Sequence, residues 1–247
     1  MSPSRTLLFS LLVGTALHAQ GLDRDTLLTD APAVPAKGTV RVTGGATGTT
    51  QTDDGTDTGH NISRVSGNIQ WTPVEHLAGD VGVALQIGAS GPSARLRYQI
   101  LSQERVGIDL AAGARFKTVG FHPDRGEVEF LVAAGRRFGA IELVLNGVFG
   151  FETGGASGKD VEVKGFAGYR FNDAVRAGLD GRIQTEVSDE ENVVKPPGIR
   201  DYDLVAGPAV SWLVTRAIQV QALVGVAQPK KTDITSPVGL VAASFDF

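Results

Sequence analysis

From Gly38 onward, apolar residues recur at every second position. In residues 77–89, Leu77, Val81, Val83, Leu85 and Ile87 share one side, while Asp80, Gly82, Ala84 and Gln86 take the other. In residues 105–118, Val106, Ile108, Leu110, Ala112, Ala114 and Phe116 alternate with Arg105, Asp109, Gly113, Arg115 and Lys117. In residues 140–152, Ile141, Leu143, Leu145, Phe149 and Phe151 alternate with Glu142, Asn146 and Glu152. Successive side chains of a strand point to opposite faces, whereas a helical face needs apolar residues three and four apart. The pattern therefore predicts about twelve strands. They begin near Gly38, His60, Leu77, Ser93, Arg105, Glu127, Ala140, Asp160, Ala174, Tyr202, Arg216 and Val238. Several reach the roughly 9–11 residues that a tilted strand needs to cross a bilayer.

The connections alternate in length. Short links fall at Pro73–Glu75, Ser102–Gln103, Gly139–Ala140, Asn172–Asp173 and Val214–Thr215. Longer polar links fall at Thr47–Gly59, Ser90–Pro92, Gly120–Arg125, Thr153–Lys159, Val187–Ile199 and Gln228–Ser236, of which Ser90–Pro92 is the shortest. Short turns on one rim and long loops on the other predict a single up-and-down antiparallel transmembrane β-barrel, with its turns in the periplasm. The apolar side carries Trp71, Phe138, Tyr169, Phe171, Trp212 and Phe247 next to the short turns, where an aromatic girdle would meet lipid headgroups. Phe116, Phe130, Phe149, Phe151 and Tyr202 lie toward the other rim as a second girdle.

The chain ends in VGLVAASFDF, with Phe247 last and Phe245, Ala243, Val241 and Gly239 stepping back by twos. This ending resembles the C-terminal signature of bacterial outer-membrane β-barrel proteins. The resemblance covers the architecture from Gly38 to Phe247 and carries no active-site residue with it. It implies outer-membrane lipid as surroundings and recognition of Phe247 by the barrel-insertion machinery.

The N-terminus agrees with export. In MSPSRTLLFSLLVGTALHA, Arg5 supplies positive charge, residues 6–17 are apolar but too short to span as a helix, and Ala19 suits cleavage. The expected organisation is a signal peptide over 1–19, a periplasmic tail over 20–37 and a barrel over 38–247. Pro32 and Pro35 keep the tail from continuing as a helix, so it reads as a disordered leader or a partner-binding arm.

If the apolar side faces lipid, the other side lines the lumen. It would present Arg95, Arg97, Arg105, Arg115, Lys117, Glu127, Glu129, Arg137, Glu142, Glu162, Lys164, Asp180 and Arg182. Centring one hairpin near His122 sets Arg115 opposite Glu129 and Lys117 opposite Glu127. A two-residue turn at Gly139–Ala140, glycine first as a type II′ turn prefers, sets Arg137 opposite Glu142. Centring the next turn on Asn172 sets Lys164 opposite Asp180 and Glu162 opposite Arg182. Every pair is opposite in sign, and a one-residue slip would turn these charges into lipid. The charges either set a field across a wet pore or neutralise one another in a filled lumen; the pairing favours the second.

Composition removes several chemistries. Cysteine is absent, which excludes disulfides, thiolate metal sites, cysteine nucleophiles and a lipid-anchored cysteine. A net charge of −4 gives no basic surplus for nucleic acid. Asp53, Asp54, Asp57 and His60 share one loop, and His122 and Asp124 another, so an Asp–His dyad is conceivable on geometric grounds. No motif surrounds them, and the acidic spacing departs from an EF-hand loop. Residues 188–192 (SDEEN) read in the same way, as a solvated acidic loop. No catalytic residue, cofactor or metal is therefore assigned. Two functions stay open: a porin-like passive channel for small solutes, and a non-enzymatic barrel that anchors an envelope-spanning assembly through protein partners.

Overall fold

The computed structural model describes residues 22–49, 62–86, 90–119, 122–153, 158–187, 201–230 and 233–247. Twelve strands form one closed antiparallel barrel in which each strand pairs with its sequence neighbours. They are β1 (Val40–Thr49), β2 (Ile62–Val74), β3 (Leu77–Leu85), β4 (Gly91–Leu101), β5 (Asp109–Val119) and β6 (His122–Phe138). β7 (Ile141–Glu152), β8 (Lys159–Arg170), β9 (Val175–Glu186), β10 (Tyr202–Leu213), β11 (Ile218–Gln228) and β12 (Ser236–Asp246) complete the wall. The seam joins β1 to β12, with Arg41 opposite Asp246.

Burial follows the predicted alternation. Along β7, residues 142, 144, 146, 148 and 150 are buried and the intervening ones exposed. Here the buried side is the inside, and it is the polar side: Glu142 and Asn146 are fully enclosed, while Leu143 and Leu145 face out. The outer face is a belt of exposed apolar residues, among them Val81, Leu96, Val132, Leu179 and Val224. Water would penalise so large an apolar surface, whereas hydrocarbon would not. Trp71, Phe138, Tyr169, Phe171, Trp212 and Phe247 are all exposed and stand at the short-turn rim. Phe138 carries the Arg136 guanidinium over its ring at 4.5 Å, an outward arginine at the same rim.

Four expectations change along the wall. The Ser102–Gln103 turn opens into seven residues holding one helical turn, α1 (Gln103–Val106), which ends at Gly107 with φ of +81°. Arg105 belongs to this exposed turn and does not line the lumen. The alternation that placed it there begins only at Asp109. Gly120–Arg125 is not a long loop, because β5 and β6 pair out to Val119 and His122 across an irregularity after Thr118. At the β8–β9 turn, the Asn172 side-chain oxygen accepts N–H donors from Ala174 and Val175, both at 2.8 Å, and the bend occupies four residues. Registration slips by two, so Lys164 faces Arg182 and Phe166 faces Asp180. A slip of two keeps every side chain on its side, which is why the inside stays polar.

Candidate functional site: the occupied lumen

The half of the lumen away from the short-turn rim is held by ion pairs between wall strands. Arg115 pairs with Glu129 directly opposite. Lys117 reaches Glu127 at 3.0 Å and Glu129 at 2.7 Å. Arg182 bonds Glu162 at 3.2 Å and Asp203 at 3.0 Å. Nearer the short-turn rim, Glu142 takes Arg137 at 3.3 Å and Arg176 at 3.1 Å. Glu162 and Arg182 thus meet diagonally despite the slip. Lys164 and Asp180 do not meet, and each finds a partner outside the wall.

Those partners belong to the segment before β1. Residues 22–35 lie inside the barrel; this is the stretch expected to be a periplasmic tail. The segment folds back on itself: the Ala33 N–H donates to the Leu22 carbonyl at 3.1 Å, and the Thr26 N–H to the Thr29 carbonyl at 2.9 Å. Asp23 and Arg24 meet Arg41 and Asp246 at the short-turn rim. The tip residues Leu27 and Leu28 pack on the inward Leu223, Ala227, Val238 and Leu240. The returning limb is buried at Ala31, Pro32 and Pro35 and reaches Gly38, whose N–H donates to the Thr72 carbonyl at 2.8 Å.

The wall holds this hairpin by its backbone as well as its side chains. Asn146 accepts from the Asp30 N–H at 2.7 Å and donates to the Asp30 carbonyl at 2.9 Å. Asp180 accepts from the Leu28 N–H at 3.0 Å and from the Thr29 hydroxyl at 2.6 Å. Gln99 accepts from the Val34 N–H at 3.0 Å, and Gln221 donates to the Asp25 carbonyl at 2.9 Å. The wall is also shaped for it. A Cβ on Gly135 would stand 2.6 Å from Pro32 Cγ.

Charge is densest at mid-barrel. Arg95 binds Asp25 at 2.7 Å, Asp80 at 2.7 Å and Asp30. Arg97, only 1% exposed, binds Asp25 at 2.8 Å and the Ala31 carbonyl at 2.8 Å. Lys164 binds Asp30 at 2.9 Å and Glu162 at 2.8 Å. Burial would raise the Asp25 carboxyl, but Arg95 and Arg97 hold it well below the usual carboxylate range. Burial opposes ionisation of Asp30 too, and Lys164 and Arg95 overcome it. Arg176 and Asn146 stand on the side expected to face inward, whereas Gln99 and Gln221 are not among the expected lumen residues.

The acidic loop residues Asp53, Asp54, Asp57 and His60 and residues 188–192 lie outside the described residues, as do the side chains of His122 and Asp124.

No protein-family model matches the chain. No curated protein matches it either. Solved structures do match. The NanC porin is similar at a TM-score of 0.60 and 8% identity, covering 84% of this chain and 100% of that one. An outer-membrane channel from Pseudomonas putida F1 gives 0.58 and 12%, covering 87% and 97%. The KdgM porin gives 0.56 and 10%, covering 85% and 99%. At such identities the likeness is one of fold. With its closed twelve-strand wall, apolar outer belt and polar lumen, the chain has the architecture of bacterial outer-membrane β-barrel proteins.

Proposed function

We propose that this protein is a non-enzymatic, porin-like channel for small solutes in the bacterial outer membrane, closed at rest by its own N-terminal hairpin. Its short-turn rim faces the periplasm. The supporting observation is where the hairpin stands in the chain. It precedes β1 and, among the described residues, joins the wall covalently at one end, through Gly38 and Thr39, so its withdrawal would break no strand pairing. A loop between two strands would not have that freedom. Barrel width agrees. Eight strands fill their interior with side chains, and sixteen to eighteen leave an aqueous channel. Twelve leave room for one narrow occupant. The fold-level likeness to porins and outer-membrane channels supports the same reading.

Planar-bilayer recording of the full chain tests it. Wild type should conduct little, and Asn146→Leu with Asp180→Leu should raise open probability at least about tenfold, the equivalent of about 1.4 kcal/mol. The absence of cysteine allows an independent readout, because a cysteine at Ala31 should react with a thiol reagent faster in that background. Fast labelling without conductance would overturn the channel reading in favour of an anchoring barrel.

A further inference from the structure

We propose that Arg95, Arg97 and Lys164 form a lumen binding site for a solute bearing two carboxylates, occupied at rest by Asp25 and Asp30 of the hairpin. The inference rests on the channel reading and adds to it what the channel selects.

Partner accounting carries the argument. In the outer half of the lumen, each basic group named above is matched by carboxylates of the wall itself, as Arg115 is by Glu129 and Arg182 by Glu162 and Asp203. Those pairings are made within the wall and do not depend on the hairpin. At mid-barrel the matching carboxylates come from the hairpin. Arg95 takes two of its three carboxylates from it. Lys164 takes one of two. Arg97 takes both of its hydrogen-bonded acceptors from it, and among the described residues no wall carboxylate pairs with Arg97. With the hairpin withdrawn, Arg97 would lose its one carboxylate partner, and Arg95 and Lys164 would keep one each, Asp80 and Glu162. Rings of Arg and Lys are the device by which pores select anions.

Arg97 supplies a second, independent sign. Its side chain is 99% buried, yet Nε and Nη2 have no hydrogen-bond partner among the described residues. Leaving buried guanidinium donors unused is costly. Asp25 and Ala31 thus satisfy only part of what Arg97 offers. A free solute carboxylate can approach the planar fork edge-on, which a tethered aspartate does not do here. The spacing of the solute's two acids follows from Arg95, whose Nη1 takes Asp30 while Nη2 takes Asp25. Two carboxylates on neighbouring corners of one guanidinium describe a short dicarboxylate better than a long one.

Such a solute competes with a tethered rival whose effective concentration is about millimolar. Succinate is the probe. In the full chain with Ala31→Cys, about 10 mM succinate should speed thiol labelling at least about threefold, while acetate, or chloride at equal ionic strength, should not. Equal acceleration by chloride would mean screening alone and would overturn the proposal. In planar bilayers, full-length Asp25→Asn with Asp30→Asn should open and prefer anions. Succinate should then reduce its current, and adding Arg97→Gln should abolish that block. A variant that opens without anion preference or succinate block overturns this site and leaves the channel reading standing. A variant that labels fast at position 31 but never conducts overturns the channel reading, and the succinate-dependent labelling then decides the site alone.

Discussion

Asn146 and Asp30 exchange two hydrogen bonds: the Asp30 N–H donates to Asn146 Oδ1, and Asn146 Nδ2 donates to the Asp30 carbonyl. One side chain thereby does for the hairpin what a neighbouring strand does in a sheet. Replacing Asn146 with leucine leaves both backbone groups of Asp30 enclosed without partners, at about 1–3 kcal/mol each. The hairpin should leave the lumen more often in Asn146→Leu, and labelling of a cysteine at Ala31 should report it. Unchanged labelling would show that the ion pairs alone hold the segment.

The fit of Pro32 against Gly135 gives a test by shape. Valine at 135 would drive its Cβ to 2.6 Å from Pro32 Cγ, while the nearest wall backbone atom, the Leu143 carbonyl oxygen, lies at 3.2 Å. Gly135→Val should therefore unseat the hairpin and spare the barrel, measured as faster labelling at position 31 with an unchanged heat-modifiable band. Adding Pro32→Gly should restore slow labelling. Failure of that rescue would locate the damage in the wall.

Acidification has a defined sign. Asp25 and Asp30 ionise below their ordinary value of about 4, held there by Arg95, Arg97 and Lys164. Carboxylates lowered in this way contribute stability above their ordinary value, and lose it only as pH falls through the lowered one. The facing groups include two further acids, Asp80 on Arg95 and Glu162 on Lys164. The closed state should persist from about pH 7 to about pH 4 and give way only below that. Bilayer conductance against pH checks this. In Asp180→Asn, which removes the wall carboxyl that grips Leu28 and Thr29 of the hairpin, opening between about pH 7 and 5 would contradict it, since neither Asp25 nor Asp30 gains a proton there.

The outer ladder should respond unequally to its two ends. Glu129 is shared by Arg115 and Lys117, so removing Arg115 leaves Glu129 with Lys117 at 2.7 Å. Removing Glu129 leaves Arg115 without its wall partner. Glu129→Ala should lower the unfolding midpoint of the heat-modifiable barrel more than Arg115→Ala. In a double-mutant cycle the pair should couple by about 0.5–3 kcal/mol. Additive effects would rule out the coupling.

Much of the barrel was legible because a membrane wall repeats one local rule. Leu77 against Ala78, or Leu143 against Glu142, states which side is which from nearest neighbours alone. The pair Arg137–Glu142 could be placed because its hairpin closes in a two-residue turn, with Gly139 at φ of +61° where that turn was expected, and Arg115–Glu129 because the irregularity of its hairpin lies beyond Thr118. Registration failed at β8–β9, where the Asn172 side chain widens the bend by hydrogen bonds that spacing does not encode. The destination of residues 22–35 was not legible at all. Their short polar and proline-rich composition reads as an unstructured leader. The groups that hold them lie far along the chain: Lys164 is 134 residues from Asp30 and Gln221 is 196 from Asp25. No local pattern reports such partners.

Asp246 binds Arg41 across the seam through two hydrogen bonds, at 2.7 and 3.1 Å, and binds Arg24 of the hairpin as well. This carboxylate is next to last in the chain, while Arg24 comes before the first strand. During assembly, then, the ring cannot close until β12 docks on β1, while the piece to be enclosed adjoins β1 in the chain. It need not be threaded through a finished cylinder, because it can wait beside β1 and be captured when β12 arrives. The same side chain then latches the wall and its contents in one event, so errors in packing the interior would register at the last step of assembly.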